Sequence, residues 1–270
     1  MNRIAPALLL VLTACSGGRE LRDEGSDRPT IVSLNPCTDA ILAEVADPRQ
    51  LLAISHYSKD SRASSMEPEV AARYPSTGGT VEEILALEPD IVVASTFIAP
   101  ATRAALGDLG RRVETFGSVA SVEASIEQVR QLARLTGDPE RGEALVASIE
   151  GAIADAGAEG RPVQAAVWQP SGIVPGEGAL ISDLLRRTGF ASYGAARGMA
   201  QADFLSLEQV VADPPEVLLI AGSDAGQRHP LLSDLPQMHR ESFDTSLLYC
   251  GGPTIIRATE RLKQIRQGAS

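Results

Sequence analysis

Aromatic residues make up only 4% of this 270-residue chain, with a single tryptophan, and there are three histidines. A site built from rings or imidazoles has few residues to draw on, so its candidates can be named one by one. Basic residues are also scarce: 24 Lys and Arg stand against 35 Asp and Glu. The resulting formal charge of −11 argues against a polyanionic partner such as nucleic acid. The apolar run Ile4–Leu12 falls short of the roughly 20 residues a bilayer-spanning helix needs. There is no Gly-x-Ser-x-Gly elbow, no His-Glu-x-x-His zinc motif and no phosphate loop, so the common hydrolase and nucleotide signatures are missing. Gly176-Glu-Gly-Ala-Leu-Ile opens like a dinucleotide fingerprint but lacks its third glycine. What remains is a hydrophobic content of 44%, ordinary for a chain that buries a sizeable core.

The N-terminus carries a signal. Arg3 precedes Ile4–Leu12, and the run ends in Leu12-Thr13-Ala14-Cys15. A basic start, a short apolar stretch and small residues before a cleavage point are the parts of an export signal. The last four residues resemble the lipobox of bacterial lipoproteins. That implies a signal peptide over 1–14, acylation of Cys15 and a lipid anchor in the membrane. An ordinary secretory signal with an incidental cysteine is the alternative. Ser16–Pro29 is polar and Gly-rich, so residues 15–29 read as a flexible tether. Cys37 and Cys250 are then left in an oxidising compartment, where a long-range disulfide, two idle thiols or a ligand pair are all open.

From Thr30 short apolar runs alternate with helical periodicity. Strands are expected at Thr30–Leu34, Leu51–Ser55, Ile91–Ser95 and Val113–Phe116, and helices at Pro68–Arg73, Val81–Leu87 and Pro100–Leu109. Asn35-Pro36 reads as a cap and first helical position. Val122, Ile126, Val129, Leu132 and Leu135 share one helical face; Gly137 then breaks the run, and Asp138-Pro139 starts a second long helix. Alternation resumes with strands at Val163–Val167, Val217–Ala221 and Ser246–Tyr249. Helices are expected at Leu180–Thr188, Val210–Ala212, Leu231–Leu235 and Thr254–Gln267. Strand–helix alternation predicts parallel sheets covered by helices. The pattern gives an α/β lobe over 30–137, a linking helix over 138–157 and a second α/β lobe over 158–270.

The two lobes share a segment: Thr80–Ser95 aligns without gaps on Ser206–Ala221. Both copies open with the residues of a capping box, Thr80 with Glu83 and Ser206 with Gln209, and both close on an apolar strand. Glu82 and Glu208 occupy the same place, second in the helix, where the dipole alone accounts for an acid. Together with Ile31–Leu42, Glu88–Ala94 and Gly178–Leu185, this repeat resembles the helical-backbone class of periplasmic solute-binding proteins. These serve ABC importers of cobalamin, ferric siderophores and haem. The resemblance runs from about Thr30 to the C-terminus. It implies two Rossmann-like lobes joined by a single long backbone helix, with a ligand cleft between them. It further implies a monomer outside the cytoplasm that hands a metal chelate to an ABC permease, docking through Glu82 and Glu208. No catalytic residue, resident metal or cofactor is expected. An extracytoplasmic enzyme, or a metal-binding lipoprotein of the same two-lobed shape, is the competing reading.

Ligands of α/β lobes bind beyond the carboxyl ends of the strands. Loops there bring forward Asn35, Cys37, His56, Tyr57, Phe97, Trp168, His229 and Tyr249 as candidate ligand contacts. Trp168, Tyr57, Phe97 and Tyr249 offer rings for a flat ligand, though each suits core packing equally well. His56 and His229 offer imidazoles to a metal centre, against the commoner role of a solvated loop histidine. Lys59, Arg197 and Arg228 offer charge to an anionic chelate. So few basic residues on these loops favour a corrinoid.

Overall fold

The computed structural model describes residues 28–200 and 202–269, so Cys15 and the expected leader lie outside the described residues. Helix starts fall where the sequence supplies a cap. Asn35 accepts from the Cys37 amide, and Ser121 and Asp138 cap the two long central helices in the same way. The first lobe alternates β1 (Ile31–Ser33), α1 (Pro36–Val45), β2 (Leu51–Ser55), α2 (Pro68–Ala71), β3 (Ser76–Thr77), α3 (Val81–Leu87), β4 (Ile91–Ser95), α4 (Pro100–Asp108) and β5 (Arg112–Phe116). Its strands form one parallel sheet in the order β3-β2-β1-β4-β5. α5 (Val122–Thr136) and α6 (Pro139–Asp155) then lead to the second lobe.

That lobe runs β6 (Val163–Trp168), β7 (Ile173–Pro175), α7 (Leu180–Arg187), β8 (Phe190–Ser192), α8 (Tyr193–Ala196), β9 (Ala202–Phe204), α9 (Leu207–Ala212), β10 (Val217–Ile220), β11 (His239–Ser242) and α10 (Thr254–Gly268). A second parallel sheet has the order β11-β10-β6-β8, and β7 pairs antiparallel with β9 as a separate ribbon. The strand expected at Ser246–Tyr249 is instead a 3₁₀ turn, Thr245–Leu247. The strand of this region is β11, whose sequence HRES lies at the exposed edge of the sheet. An edge strand needs no apolar run, which is why hydrophobicity pointed past it to Leu247 and Leu248.

Strand alternation sorts the core. Ile31, Ile91 and Val93 face one cluster while Val32 and Val92 face another, so the first sheet is buried on both sides. In the second sheet Ala165, Val167, Val217 and Leu219 join the first of these clusters. Ala166, Trp168 and Leu218 face a third. The shared cluster continues through Val129, Leu132, Val146 and Ile149 of α5 and α6 to Leu262 of α10, so one apolar body spans both lobes. α6, 17 residues and about 25 Å long, packs on α1, α5 and α10.

Two buried groups organise the loops at the strand ends. Trp168 is 3% exposed and its ring N–H donates to the Leu205 carbonyl at 2.9 Å, holding the chain just after β9. Asp39 is fully buried in the first turn of α1. Its Oδ2 accepts from the Ser55 amide at 2.8 Å and the Ser58 hydroxyl at 2.6 Å, fixing the turn that carries His56 and Tyr57. Burial pushes the Asp39 carboxyl from 3.8 up to about 7, outweighing the hydrogen bonds that pull it down.

Replacing Trp168 by Ala should cost about 3–5 kcal/mol, the range for a deleted core ring, read as a lower urea midpoint; a loss under 1 kcal/mol would contradict its core role. For Asp39 the folded state holds a proton that the unfolded state has already released between pH 4 and 7. Stability from this group is complete below pH 4 and falls as pH rises through 7, by at most about 1.4 kcal/mol per unit. Asp39→Asn keeps the acceptor oxygen and should flatten that slope in urea titrations at pH 5 and pH 8. Parallel slopes in the two proteins would show that Asp39 titrates normally.

Candidate functional site

Strand order reverses once in each lobe. In the first sheet the reversal lies between β1 and β4, and in the second between β6 and β10. Loops leaving the carboxyl ends at such a point diverge and leave a crevice. Asn35 follows β1, Ser95 ends β4 and Gln169 follows β6, and all three line a single cavity of about 340 Å³ between the lobes. That volume is near the lower end of the roughly 300–1,000 Å³ usual for ligand pockets.

The first lobe adds Phe116, Gly117, Ser118 and Val119 from the end of β5, and Gln128 from α5. Gln128 donates to the Gly117 carbonyl at 3.0 Å and so braces that loop against the helix. The second lobe adds Pro175 and Ala202 from the β7–β9 ribbon, Ala179, Leu180 and Ile181 at the start of α7, and Leu248 to Gly251. Tyr249 lines the cavity, and its hydroxyl donates to the Arg62 carbonyl at 2.7 Å. None of the lining residues is charged. In a chain with a formal charge of −11, the wall is made of amides, hydroxyls and apolar groups.

Of the expected ligand contacts, the cavity brings together Asn35, Cys37 and Tyr249. Asn35 spends its side-chain oxygen on the cap to Cys37. Cys37 is bonded to Cys250 with 5.1 Å between the Cα atoms, which leaves neither sulfur to ligate a metal. The bond closes a separation of 213 residues, worth up to about 5 kcal/mol in the loop-closure picture. Trp168 is the clear correction. Alternation along β6 turns it with Ala166 to the outer face of the sheet, into the core and away from the cavity.

His56, Tyr57 and Phe97 follow strand ends and His229 follows the 3₁₀ turn Gly226–Arg228, but all four lie outside the cavity wall. His56 stacks on Tyr57 with ring centroids 4.0 Å apart, and Phe97 is 84% exposed. His229 turns its Nδ1 to the Leu231 amide at 3.3 Å. Lys59 is spent on the Ala71 and Tyr74 carbonyls, and Arg197 lies over the Tyr193 ring beside Asp213. Gln128 was missed. Its signal was available, since Ser125 and Gln128 interrupt the otherwise apolar face of α5 one turn apart, and both are buried.

Glu82 and Glu208 are both exposed in the first turns of α3 and α9, one in each lobe. The Ser206–Gln209 capping box forms in full. At Thr80 only half of it forms: Thr80 caps the Glu83 amide, while the Glu83 carboxylate turns back to the Thr77 hydroxyl and the Gly78 amide, both at 2.7 Å. The Thr77 hydroxyl and the neighbouring amides hold the Glu83 carboxyl below its usual 4.5. Glu208 is held low by its own amide and the Ser206 hydroxyl.

Comparisons with known proteins bear on the family and the fold. The sequence profile of the periplasmic binding protein family matches residues 31–237. A cobalamin-binding protein of Halobacterium salinarum (strain ATCC 29341 / DSM 671 / R1) is 28% identical over 134 residues, 48% of this chain and 36% of that protein. The match therefore spans about a third of the length of that curated relative. The periplasmic heme-binding protein RhuT of Roseiflexus sp. RS-1, in its apo form, superposes with a TM-score of 0.71 at 23% identity, covering 90% of this chain and 99% of RhuT. The periplasmic vitamin B12 binding protein BtuF of Vibrio cholerae gives 0.70 at 18% identity, covering 90% and 98%. With two parallel α/β sheets facing one cavity and a profile match over most of its length, the chain belongs to the periplasmic binding protein family.

Proposed function

We propose that the chain captures an uncharged, amide-bearing metal chelate of the corrinoid class outside the cytoplasm and delivers it to an ABC permease, without chemical turnover. The observation that carries this reading is the electroneutral cavity. A ligand carrying several carboxylates would lose its hydration there with no Arg, Lys or His on the wall to replace it, a cost of several kcal/mol per unpaired charge. A corrinoid rimmed with neutral amides loses far less and meets matching groups in Asn35, Gln128 and Gln169. The cobalamin-binding relative supports the same ligand class. Such a chelate is larger than 340 Å³, so part of it extends toward the exposed His56–Tyr57 pair and Phe97 at the ends of β2 and β4.

Docking rests on Glu82 and Glu208, repeated at the starts of α3 and α9 and directed to solvent, where they are free to meet permease arginines. The lobes of the proposal are 30–137 and 158–270 with 138–157 between them, acting as a monomer held at the membrane by a lipid on Cys15. Cys15→Ser should release the protein from the membrane fraction; unchanged membrane association would remove the anchor from the proposal.

The purified wild type and the double variant Glu82→Arg/Glu208→Arg are to be titrated with cyanocobalamin, hemin and a ferric siderophore, and uptake followed in dependent cells. Both proteins should bind cyanocobalamin with equal affinity, and only the variant should fail to support uptake, because an interfacial charge pair reversed at two places costs about 2–5 kcal/mol each. Binding of hemin alone would overturn the ligand. Uptake that persists in the variant would overturn the docking role.

A further inference from the structure

The two walls of the cavity are held differently. Among the described residues, the bonds that join the lobes directly fall in two places: between α5 and α7, where the Val122 amide donates to Asp183 and Arg187 pairs with Glu123, and along one wall of the cavity. There Cys37 is bonded to Cys250, and the Tyr249 hydroxyl reaches the Arg62 carbonyl. The Gly252 amide donates to the Ser125 hydroxyl at 2.7 Å, and Arg257 pairs with the Ser65 carbonyl and Glu67. A Cβ at Gly251 would stand 2.3 Å from Ser125 Oγ, and one at Gly252, whose φ is +59°, 2.4 Å from Ile41. This wall is therefore closed to larger side chains and sewn to the first lobe. The other wall, where Ser95 faces Gln169, Pro175 and Ala202, has no such bond among the described residues.

We propose that the Cys37–Cys250 disulfide is a staple that fixes one wall of the cavity, so that the lobes part only at the opposite lip, between the end of β4 and the β7–β9 ribbon. The stretch Tyr249–Arg257 then moves with the first lobe although the chain enters it from the second. A chelate too large for the cavity enters over the free lip and presses against a fixed wall. Opening the disulfide lets both walls separate and shortens the ligand's residence. The staple rests on the cavity being the ligand site, as proposed above, but its motion is measurable with no ligand present.

The test uses the full chain with nitroxides on an azide-bearing amino acid placed at Ala63 and Asp244 for the stapled wall, and at Phe97 and Phe204 for the free lip. Distances are taken by pulsed electron resonance in three forms: native, Cys37→Ser/Cys250→Ser, and native treated with dithiothreitol. In the last, the dithiol gives two electrons and two protons to the two sulfurs and itself closes to a cyclic disulfide. The 63–244 distribution should be narrow in the native form and broaden in both others, while the 97–204 distribution is broad in all three. The cyanocobalamin off-rate should rise at least threefold on opening.

Identical 63–244 distributions with and without the disulfide would overturn the staple. Loss of the far-ultraviolet dichroism in the opened forms would also overturn it, by showing that the bond holds the whole fold. A loosened wall with an unchanged off-rate would overturn the effect on residence. A loosened wall in a protein that never binds cyanocobalamin would leave the staple standing and reject the ligand.

Discussion

Two parallel sheets, each buried on both faces, need helices on every side, and here they share one of those helical layers. The apolar cluster that begins at Ile31 in the first sheet passes through α5 and α6 and ends among Val217, Leu219 and Leu262 of the second lobe. Among the described residues no strand pairs between the sheets, so this layer sets their separation. Everything at the cavity depends on it. Asn35, Ser95 and Gln169 line one cavity because the helices behind them hold the strand ends in place. A close-packed interior transmits such a constraint, since a shifted helix would open voids along its whole length.

Against that fixed background the chemistry of the chain is divided by position. Charged side chains lie mostly on the outside, several of them in surface pairs such as Arg130 with Glu143 and Arg134 with Glu127. Exposed pairs of this kind add little to stability. The cavity wall is uncharged, and its polar groups are already partly spent on bracing: Asn35 on a helix cap and Gln128 on the Gly117 loop. The bracing is what gives such a wall discrimination. Groups that cannot rotate away offer a ligand fixed amides and hydroxyls at no further ordering cost.

Most elements were legible in the sequence because buried parallel strands are plain apolar runs and the helices carry explicit starts. Leu51–Ser55, Val81–Leu87 and Ile91–Ser95 fall where the pattern placed them. The errors have separate causes, each of them tertiary. Trp168 ends a strand as expected, but whether it meets ligand or core turns on which face of the sheet its register gives it. Glu83 has the residue type and spacing of a capping box, yet a nearby hydroxyl and amide from the β3–α3 turn compete successfully for its carboxylate. β11 escaped because an exposed edge carries no hydrophobic signature.

The sequence by itself determined the α/β class and the duplicated helix-to-strand unit with its paired glutamates. These are local properties, written in periods of two and 3.6 and in caps a few residues long. Tertiary structure alone decided that Cys37 and Cys250, separated by 213 positions, are partners and not ligands. It also decided that Gln128 and Gln169 line one cavity, and that its lining is free of charge. Such facts concern distances between residues remote along the chain, and a linear pattern holds no measure of distance.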